Sequence, residues 1–211
     1  MATCYIVGAG EFTPRGLSPM PGDLVIAADG GYRALENIGI HPDLLMGDLD
    51  SLGNHPFPEN LPLQQFPTEK DDTDTGIALM EGWNRGFRDF ALYGCSGGRA
   101  DHLLANWQSM CRFSRMGASV RMAAVDYDAY ALTNGQLDLP DRPAGTTVSI
   151  FCHSAQASGV SIEGLKYSLR DAELTSDYPI GVSNEHLDSP ACVSVRSGTL
   201  LILQHLKPLA S

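Results

Sequence analysis

The feature that most restricts the fold of this chain is a change of pattern near residue 131. Before it, short apolar runs such as those at 24–28 and 90–93 alternate with stretches of helical periodicity such as 74–83. Such runs are typical of strands buried on both faces of a parallel sheet, with helices between them that cover the faces. The fold class predicted for this part is therefore α/β, with a mostly parallel, doubly wound sheet.

Beyond residue 131 the pattern no longer indicates helices. Clusters of Gly, Ser, Asp and Pro separate short apolar runs at 147–151, 165–169, 192–195 and 200–203. Short strands separated by turn residues are typical of an antiparallel sandwich or barrel. We therefore predict two domains, an α/β domain over 1–132 and an all-β, sandwich-like domain over 133–211.

The composition excludes several classes of partner. Hydrophobic residues make up 43% of the 211 residues, enough to bury a core. There are 25 acidic and 14 basic residues, which give a net charge of −11. A surface this acidic repels phosphate backbones, so we expect no nucleic-acid partner. No apolar stretch reaches the roughly 18–20 residues that a membrane span needs, so we expect no membrane partner.

The cysteines and the N-terminal sequence bear on the compartment. The five cysteines are scattered and form no Cys-x-x-Cys pair, which argues against a zinc ribbon or a thioredoxin-type site. The N-terminal sequence also lacks a basic segment followed by a long apolar one, which a secretory signal would show. We expect a cytoplasmic protein whose thiols remain free.

Acidic residues are concentrated in one stretch of the chain. Between 43 and 74 there are eight carboxylates and one basic residue, Lys70. Two clusters stand out, Gly-Asp-Leu-Asp-Ser at 47–51 and Lys-Asp-Asp-Thr-Asp at 70–74, and each follows a strand-like run. Ligands of open α/β sheets bind at the carboxyl ends of strands, and crowded carboxylates there favour a hard cation such as Mg²⁺. The alternative is that these residues form turns and helix caps, above all at 71–73, directly before a helical stretch.

Two glycine-containing segments also follow strand-like runs. They are Asp-Gly-Gly at 29–31 and Gly-Gly-Arg-Ala-Asp-His at 97–102. Glycines after a strand let the backbone approach a phosphate, and Arg99 could neutralise charge that develops during phosphoryl transfer. The alternative is an ordinary loop in which Arg99 pairs with Asp101. A polar segment at 181–186, Gly-Val-Ser-Asn-Glu-His, could bind a polar organic substrate or form a plain turn.

In this order, the five segments resemble the bacterial type of the thiamine pyrophosphokinase family. The resemblance implies an α/β domain followed by a β-sandwich domain. It also implies a homodimer with the active site at the subunit interface. The reaction it implies uses ATP as co-substrate, with Mg²⁺, to convert thiamine to thiamine diphosphate with release of AMP.

The same resemblance implies roles for individual residues. The implied Mg²⁺ ligands are Asp48, Asp50 and Asp74. The implied ATP site consists of Asp29, Gly30, Gly31, Lys70, Asp71, Thr73 and Arg99. The implied catalytic residues are Asp71, Arg99 and Asp101, with either Asp71 or Asp101 as the base that accepts the hydroxyl proton. The implied thiamine-binding residues are Ser183 and Asn184. Lys70 departs from the animal members, which have glutamine there, and its positive charge suits a triphosphate.

Two other functions compete with this one. The run Leu-Leu-Met-Gly-Asp-Leu-Asp-Ser at 44–51 resembles the nucleophile motif of haloacid-dehalogenase-like, Mg-dependent phosphatases, with Asp48 as nucleophile. That motif normally opens its fold, whereas here about two strand–helix elements precede it. The second competitor is a non-catalytic module that senses Mg-ATP.

Overall fold

The structure is a computed structural model, and it describes residues 1–48, 55–66 and 72–208. Within these residues the chain forms twelve strands and three helices. In chain order they are β1 (Thr3–Val7), β2 (Leu24–Ala28), α1 (Gly31–Asn37), β3 (Leu44–Gly47), β4 (Leu63–Gln65), α2 (Asp74–Asn84), β5 (Asp89–Tyr93), α3 (Ala100–Arg115), β6 (Ser119–Ala123), β7 (Tyr127–Leu139), β8 (Thr147–Cys152), β9 (Gln156–Glu163), β10 (Leu169–Thr175), β11 (Asn184–Glu185) and β12 (Ala191–His205).

The chain divides into two compact units. The first consists of Met1–Ser109 and Val120–Val125, and the second of Met110–Ser119 and Asp126–Ser211. The helix α3 contributes its first ten residues to the first unit and the rest to the second. The domain boundary expected from the sequence, 132–133, lies within β7, whereas the compact units divide between Val125 and Asp126.

The strands of the first unit pair in parallel. The order is β5–β1–β2–β3–β4, and each of these four pairings is parallel, with β6 beside β5. Strands β1 and β2 are apolar along nearly their whole length and buried, as strands covered on both faces must be. Because parallel strands end at the same edge, the loops after β1, β2, β3 and β5 all leave from one side of the sheet.

Alternating side chains of these strands form the core on each face. One face packs against Tyr32 and Leu35 of α1, and its strand residues are Tyr5, Val7, Val25, Ala27, Leu45, Ala91, Tyr93 and Ala123. The helix α2 lies against the other set, because a Cβ on its Gly82 would be 2.7 Å from both Cys4 Sγ and Phe90 Cε1. A glycine at that position lets helix and sheet approach closely.

The second unit is antiparallel and is organised around β12. This strand pairs with β7 along its length, with β9 through residues 192–197, and with β8 through residues 200–204. The pairing register shifts between Val195 and Thr199, where Gly198 adopts a φ of 118°. The irregularity therefore lets one strand change its second partner and enclose a core that includes Val148, Ile150, Val160, Val193 and Ile202.

Together, the described residues contain both parallel and antiparallel pairing and few helices, which confirms the coarse prediction of a mixed α/β protein. None of their helices combines the length and apolar character that crossing a membrane requires.

Replacement of Gly82 tests the close contact between α2 and the sheet. We expect Gly82→Ala to lower the free energy of unfolding by about 1–3 kcal/mol, since overpacking against two buried side chains exceeds the helix-propensity gain of about 1 kcal/mol. Urea denaturation of the variant measures the change. Gly135→Ala is the control, because a Cβ there meets nothing nearer than 3.6 Å. A Gly82→Ala protein as stable as the parent would contradict the contact.

Candidate active site

Three of the expected site residues, Asp29, Asp48 and Arg99, lie on loops at the carboxyl edge of the parallel sheet. Asp29 follows β2, Asp48 follows β3, and the loop that carries Arg99 follows β5. Since β5, β1, β2 and β3 are parallel neighbours, their loops leave the same edge. The edge therefore gathers residues that lie far apart in the sequence.

A glycine brings Asp29 close to Asp48. Strands β2 and β3 pair with Ala28 opposite Met46, and the Asp29 N–H donates to the Met46 carbonyl oxygen at 2.8 Å. A Cβ on Gly47 would overlap Oδ1 of Asp29, so the Asp29 carboxylate occupies the space that this glycine leaves open. The Asp29 carboxylate thus lies against Gly47, the residue directly before Asp48.

The backbone around Asp29 is also unusual. Asp29 adopts a left-handed φ of 49°, a conformation that few residues other than glycine take and that is often retained at functional sites. Gly30 is the N-cap residue of α1. A Cβ on Gly31 would overlap the carbonyl oxygen of Val7 at the end of β1. Glycine at 31 is therefore required by close packing of α1 against β1.

The amino end of α2 carries Thr73 and Asp74. Thr73 is the N-cap residue, and its Oγ1 accepts a hydrogen bond from the Gly76 N–H at 3.0 Å. Asp72 Oδ1 accepts from the Thr73 N–H at 2.8 Å, and a Cβ on Gly76 would overlap that same oxygen. Asp74 lies in the first turn, where a negative charge interacts favourably with the positive end of the helix dipole. Thr73 is therefore a helix cap, which is the alternative role considered for this segment.

Arg99 and Asp101 form an exposed ion pair before and within the first turn of α3. Arg99 Nη2 donates to Asp101 Oδ2 at 2.6 Å, and Nε donates to Oδ1 at 3.1 Å. The hydrogen bonds from Arg99, with a further one from the His102 N–H, hold the pKa of the Asp101 carboxyl down at about 2. Asp101 is therefore ionised at neutral pH, and the pairing raised as an alternative for Arg99 is present.

Glycines at 8, 10 and 94 allow two loops to pack closely against each other. The Gly10 N–H donates to the Gly94 carbonyl oxygen at 2.7 Å, and the Glu11 N–H to that of Ser96 at 2.8 Å. A Cβ on Gly10 would overlap the Ser96 carbonyl oxygen. These glycines therefore let the segment after β1 lie against the segment after β5.

Sequence reasoning missed two residues that shape the Arg99 loop. A Cβ on Gly97 would overlap the Glu11 side chain, so Glu11 lies directly against this loop. Asn106 on α3 is buried, and its Nδ2 donates to the Cys95 carbonyl oxygen at 2.8 Å. Neither belongs to a recognisable motif, and only the folded arrangement identifies them.

Three expected site residues, Asp50, Lys70 and Asp71, lie outside the residues that the structure describes. Among residues 1–48, 55–66 and 72–208, no three His, Cys, Asp or Glu side chains lie close enough to share one metal ion. The expected ligand set includes Asp50, so these residues alone do not contain the full set.

Ser183 and Asn184 lie in the second unit, just before and at the start of β11. Ser183 is exposed with a left-handed φ of 60°, and its N–H donates to Ser149 Oγ at 3.2 Å. Asn184 is buried, with its amide hydrogen-bonded to the main chain of Tyr167. Gly181 precedes them, and a Cβ there would overlap the Ile150 carbonyl oxygen on β8. The segment is thus held closely against β8.

A separate groove of about 300 Å³ contains none of the expected site residues. It lies between α1 and the segment before β4, and its lining includes Tyr32, Glu36, His41 and Phe57. Residues 39–42 of this lining connect α1 to the amino end of β3. The lining therefore extends to the amino end of β3, whereas Asp48 follows the carboxyl end of that strand.

Comparison with known proteins gives consistent matches along the chain. The family model described as thiamin pyrophosphokinase, catalytic domain, matches residues 21–122, and the one described as thiamin pyrophosphokinase, vitamin B1 binding domain, matches residues 135–200. The thiamine pyrophosphokinase of Bacillus subtilis (strain 168) is 27% identical over 214 residues, which cover 97% of this chain and 99% of that protein.

Solved structures give the same result. The crystal structure of thiamine pyrophosphokinase from Bacillus subtilis superimposes with a TM-score of 0.83 at 25% identity, covering 96% of this chain and 98% of that one. A thiamin pyrophosphokinase family protein from Enterococcus faecalis gives a TM-score of 0.80 at 26% identity, with 97% and 99% covered. The fold and the sequence therefore point to the same family.

The Arg99–Asp101 pair can be tested by titration. We expect Arg99→Gln to raise the pKa of Asp101 from about 2 towards the ordinary 3.8, because the largest cause of its depression is the Arg99 hydrogen bond. Carbon-detected NMR of the carboxyl group measures this. Any stabilisation from the pair is present at neutral pH and is lost as the pH falls through about 2.

Arg85→Gln is the matched control, since it breaks another surface ion pair, with Glu81, at a distance from the loop. It should leave the Asp101 pKa unchanged. A pKa of Asp101 that did not respond to Arg99→Gln would show that the two side chains are not paired in solution.

Proposed function

The chain belongs to the thiamine pyrophosphokinase family, and on that premise we propose that it transfers the pyrophosphoryl group of ATP to the hydroxyl of thiamine, giving thiamine diphosphate and AMP. The observation that carries this proposal is the succession of catalytic and vitamin B1 binding models over 21–122 and 135–200, in the order that the sequence predicted. The phosphatase and sensor alternatives have no comparable support.

We assign the two substrates to different parts of the chain. The α/β domain over 1–132, with a doubly wound parallel sheet, binds ATP and Mg²⁺. The sandwich-like domain over 133–211 binds thiamine. Strands β1 through β5 pair in parallel, and strands β7 through β12 pair antiparallel, which supports this architecture.

The carboxylates at the sheet edge suit a magnesium ion. Mg²⁺ prefers hard oxygen ligands, and it usually bridges one or two carboxylates to substrate phosphates. Asp48, Asp50 and Asp74 would hold the ion, and when bound it would neutralise charge on the ATP phosphates. The space that Gly47 leaves for the Asp29 carboxylate supports an acidic cradle at this edge.

The remaining groups of the edge would position the triphosphate. Asp29 follows β2 at this edge, Gly30 and Gly31 begin α1, and Thr73 caps α2. Together with Lys70, which would supply a positive charge, they would contact the triphosphate. Arg99 is exposed and is paired with the exposed carboxylate of Asp101, which it can exchange for a phosphate oxygen. Transfer of this kind depends mainly on positioning and charge neutralisation, which these groups provide.

The proton of the thiamine hydroxyl needs an acceptor, and Asp71 and Asp101 are the two candidates. While Asp101 is bound to Arg99, its lowered pKa makes it a weak base. When Arg99 turns to a phosphate, the chief cause of the lowering is removed. Binding of ATP would therefore strengthen Asp101 as a base.

Thiamine would bind at the segment that contains Ser183 and Asn184. Thiamine is cationic, and the net charge of −11 attracts it at low ionic strength. The exposed, left-handed backbone of Ser183 presents that residue to solvent beside β8.

We further propose a cytoplasmic homodimer with the active site at the subunit interface. Several exposed apolar side chains cluster along one stretch of the second unit, namely Tyr178, Ile180, Val182 and Leu187. Exposed apolar side chains that lie close together in the sequence favour an interface when they form one patch. The five cysteines are all free thiols, the form that a reducing compartment maintains.

The assay that tests the proposed function incubates the protein with thiamine, ATP and Mg²⁺. We expect AMP and thiamine diphosphate in equal amounts, and no AMP when thiamine is omitted. Release of inorganic phosphate through an aspartyl-phosphate would instead support the phosphatase. Binding of Mg-ATP with no AMP formed would support the sensor.

Asp48 should be essential for turnover. We expect Asp48→Asn to lower kcat by on the order of 100-fold or more, because the neutral amide weakens Mg²⁺ binding next to the phosphates. The Mg²⁺ dependence of AMP formation is the measurement, with circular dichroism to show that the fold is kept. Glu59→Gln is the control, since it removes one exposed negative charge from the same acidic stretch. Near-parental activity of Asp48→Asn at low Mg²⁺ would exclude Asp48 as a ligand.

A further inference from the structure

A buried histidine and a buried glutamine hold the segment of residues 181–186 against β12. His186 directly follows β11 and is 2% exposed, and Gln204 on β12 is fully buried. Gln204 Nε2 donates to the Pro140 carbonyl oxygen at 2.6 Å and lies 2.7 Å from His186 Nε2. One side-chain amide therefore connects β12 to the residue after β7 and to the residue after β11.

The Pro140 carbonyl oxygen determines how the protons of this contact are arranged. A carbonyl oxygen only accepts hydrogen bonds, so the nitrogen of the Gln204 amide, and not its oxygen, has to face it. The amide nitrogen carries two protons, and the second one is available for His186 Nε2. That ring nitrogen therefore acts as an acceptor. A histidine that accepts at Nε2 is neutral and carries its proton on Nδ1.

The surroundings of the ring also favour its neutral form. Burial is the largest cause that lowers the pKa of His186 below its ordinary 6.5, and the positive charge of Arg142 lowers it further. Asp141 acts in the opposite direction. Both charged residues belong to the loop between β7 and β8, and Arg142 is bound to Asp128 of β7 at 2.8 Å. A proton on the ring would therefore add a charge to a buried place that already holds a cation.

The other elements packed against His186 present neutral or paired groups. Strand β12 presents the uncharged Gln204. The loop between β9 and β10 presents Leu165, which forms an isolated antiparallel bridge with His186. The next residue of that loop, Lys166, is paired at 3.0 Å with Glu185 at the surface. The hydrogen bond with Gln204 is thus the contact that a change of protonation alters most directly.

We propose that His186 is a pH-sensitive latch, which holds the 181–186 segment against β12 while its ring is neutral and releases the segment when Nε2 takes up a proton from water. Protonation places an N–H of the ring against an N–H of Gln204. Rotation of the amide does not relieve this, because it sets the Gln204 oxygen against the Pro140 oxygen. The segment includes Ser183 and Asn184, so its release would also weaken thiamine binding, a consequence that rests on the proposed function.

The protonation state can be tested in the parent protein, without any variant. We expect ¹⁵N NMR of the histidine rings to show that His186 is protonated on Nδ1 and unprotonated on Nε2 at neutral pH. Its titration should give a pKa below 6.5. A proton on Nε2 of His186 at neutral pH would overturn the latch.

Hydrogen exchange tests the release. The His186 N–H donates to the Thr146 carbonyl oxygen, and the Gly145 N–H donates to that of His186, both at 2.9 Å. The latch is fully closed above about 6.5 and is lost as the pH falls through the lower pKa of the held ring. Protection of these two amides, corrected for the intrinsic pH dependence of exchange, should fall by up to about 25-fold from pH 7 to pH 5.

That limit applies to a histidine that titrates at 6.5 when released and stays neutral while held. The Thr199 N–H is the internal reference, because it is bonded to Ser154 Oγ at 3.0 Å elsewhere in the same unit. Its protection should change by less than twofold. A loss of less than twofold at Gly145 and His186 would overturn the proposal.

His186→Gln removes the titrating group and keeps a side-chain oxygen that can accept from Gln204. We expect the two amides of this variant to keep their protection at pH 5. His41→Gln is the matched control, since it removes an exposed histidine of the first unit and should behave like the parent. An equal loss of protection in His186→Gln and the parent would place the titrating group elsewhere and overturn the latch. If His186→Gln does not fold, the NMR and exchange measurements on the parent decide.

Steady-state kinetics tests the link to thiamine. The ratio of the thiamine KM of the parent to that of His186→Gln should rise from pH 7 to pH 5 by no more than the loss of protection, and the same ratio for ATP should stay constant. A constant thiamine ratio despite lost protection would overturn the link to binding and leave the latch standing. A parent that forms no AMP would overturn the proposed function, while the exchange result would still decide the latch.

Discussion

The parallel register of β2 and β3 is the constraint on which the rest of the site depends. With Ala28 opposite Met46, the residues that follow this pair are Asp29 on one strand and Gly47 with Asp48 on the other. The acidic side chain of Asp29 can lie there only because residue 47 has no Cβ. A shift of one residue in this pairing would turn every side chain of the strand to the other face and separate the two acidic groups. The chemistry of the edge therefore follows from backbone pairing that the apolar strand residues enforce.

Glycine has two separate uses in the first unit, and they are easily confused in a sequence. At 8, 10 and 94 it allows two loops to pack through main-chain hydrogen bonds. At 31 and 47 it lets a helix and a carboxylate approach strand ends at the candidate site. Only the identity of the atom that a Cβ would meet distinguishes these cases.

The sequence predicts the first unit better than the second because its strands are buried on both faces. The runs at 24–28 and 90–93 correspond to β2 and β5, and the helical stretch at 74–83 corresponds to α2.

In the second unit, the runs at 192–195 and 200–203 belong to one strand, β12, which continues through the irregularity at Gly198. The run at 165–169 is mostly the loop that Asn184 holds, and β10 begins only at Leu169. A strand that changes its partner, and a loop that is held by a distant side chain, both depend on tertiary contacts. Such contacts leave no periodic pattern in the sequence. The same holds for the site: the motif positions could be named from the sequence, whereas the contacts of Glu11, Asn106 and Tyr167 could not.

In the proposed function, the Arg99–Asp101 pair would allow an acidic protein to receive a triphosphate. The chain carries a net charge of −11, so the few cations at the site have to be available when ATP arrives. The side chains of Arg99 and Asp101 are 72% and 65% exposed, and an ion pair in that setting stabilises the protein little. Breaking it therefore costs little, while a phosphate with more than one negative charge offers Arg99 a stronger partner in the same two-pronged geometry. The pair keeps the guanidinium oriented at the start of α3 until then. In the proposed function, its release would change two groups at once, since the arginine would gain a phosphate and the carboxylate would regain basicity. That coupling would link nucleotide binding to readiness for proton transfer without any movement of the fold.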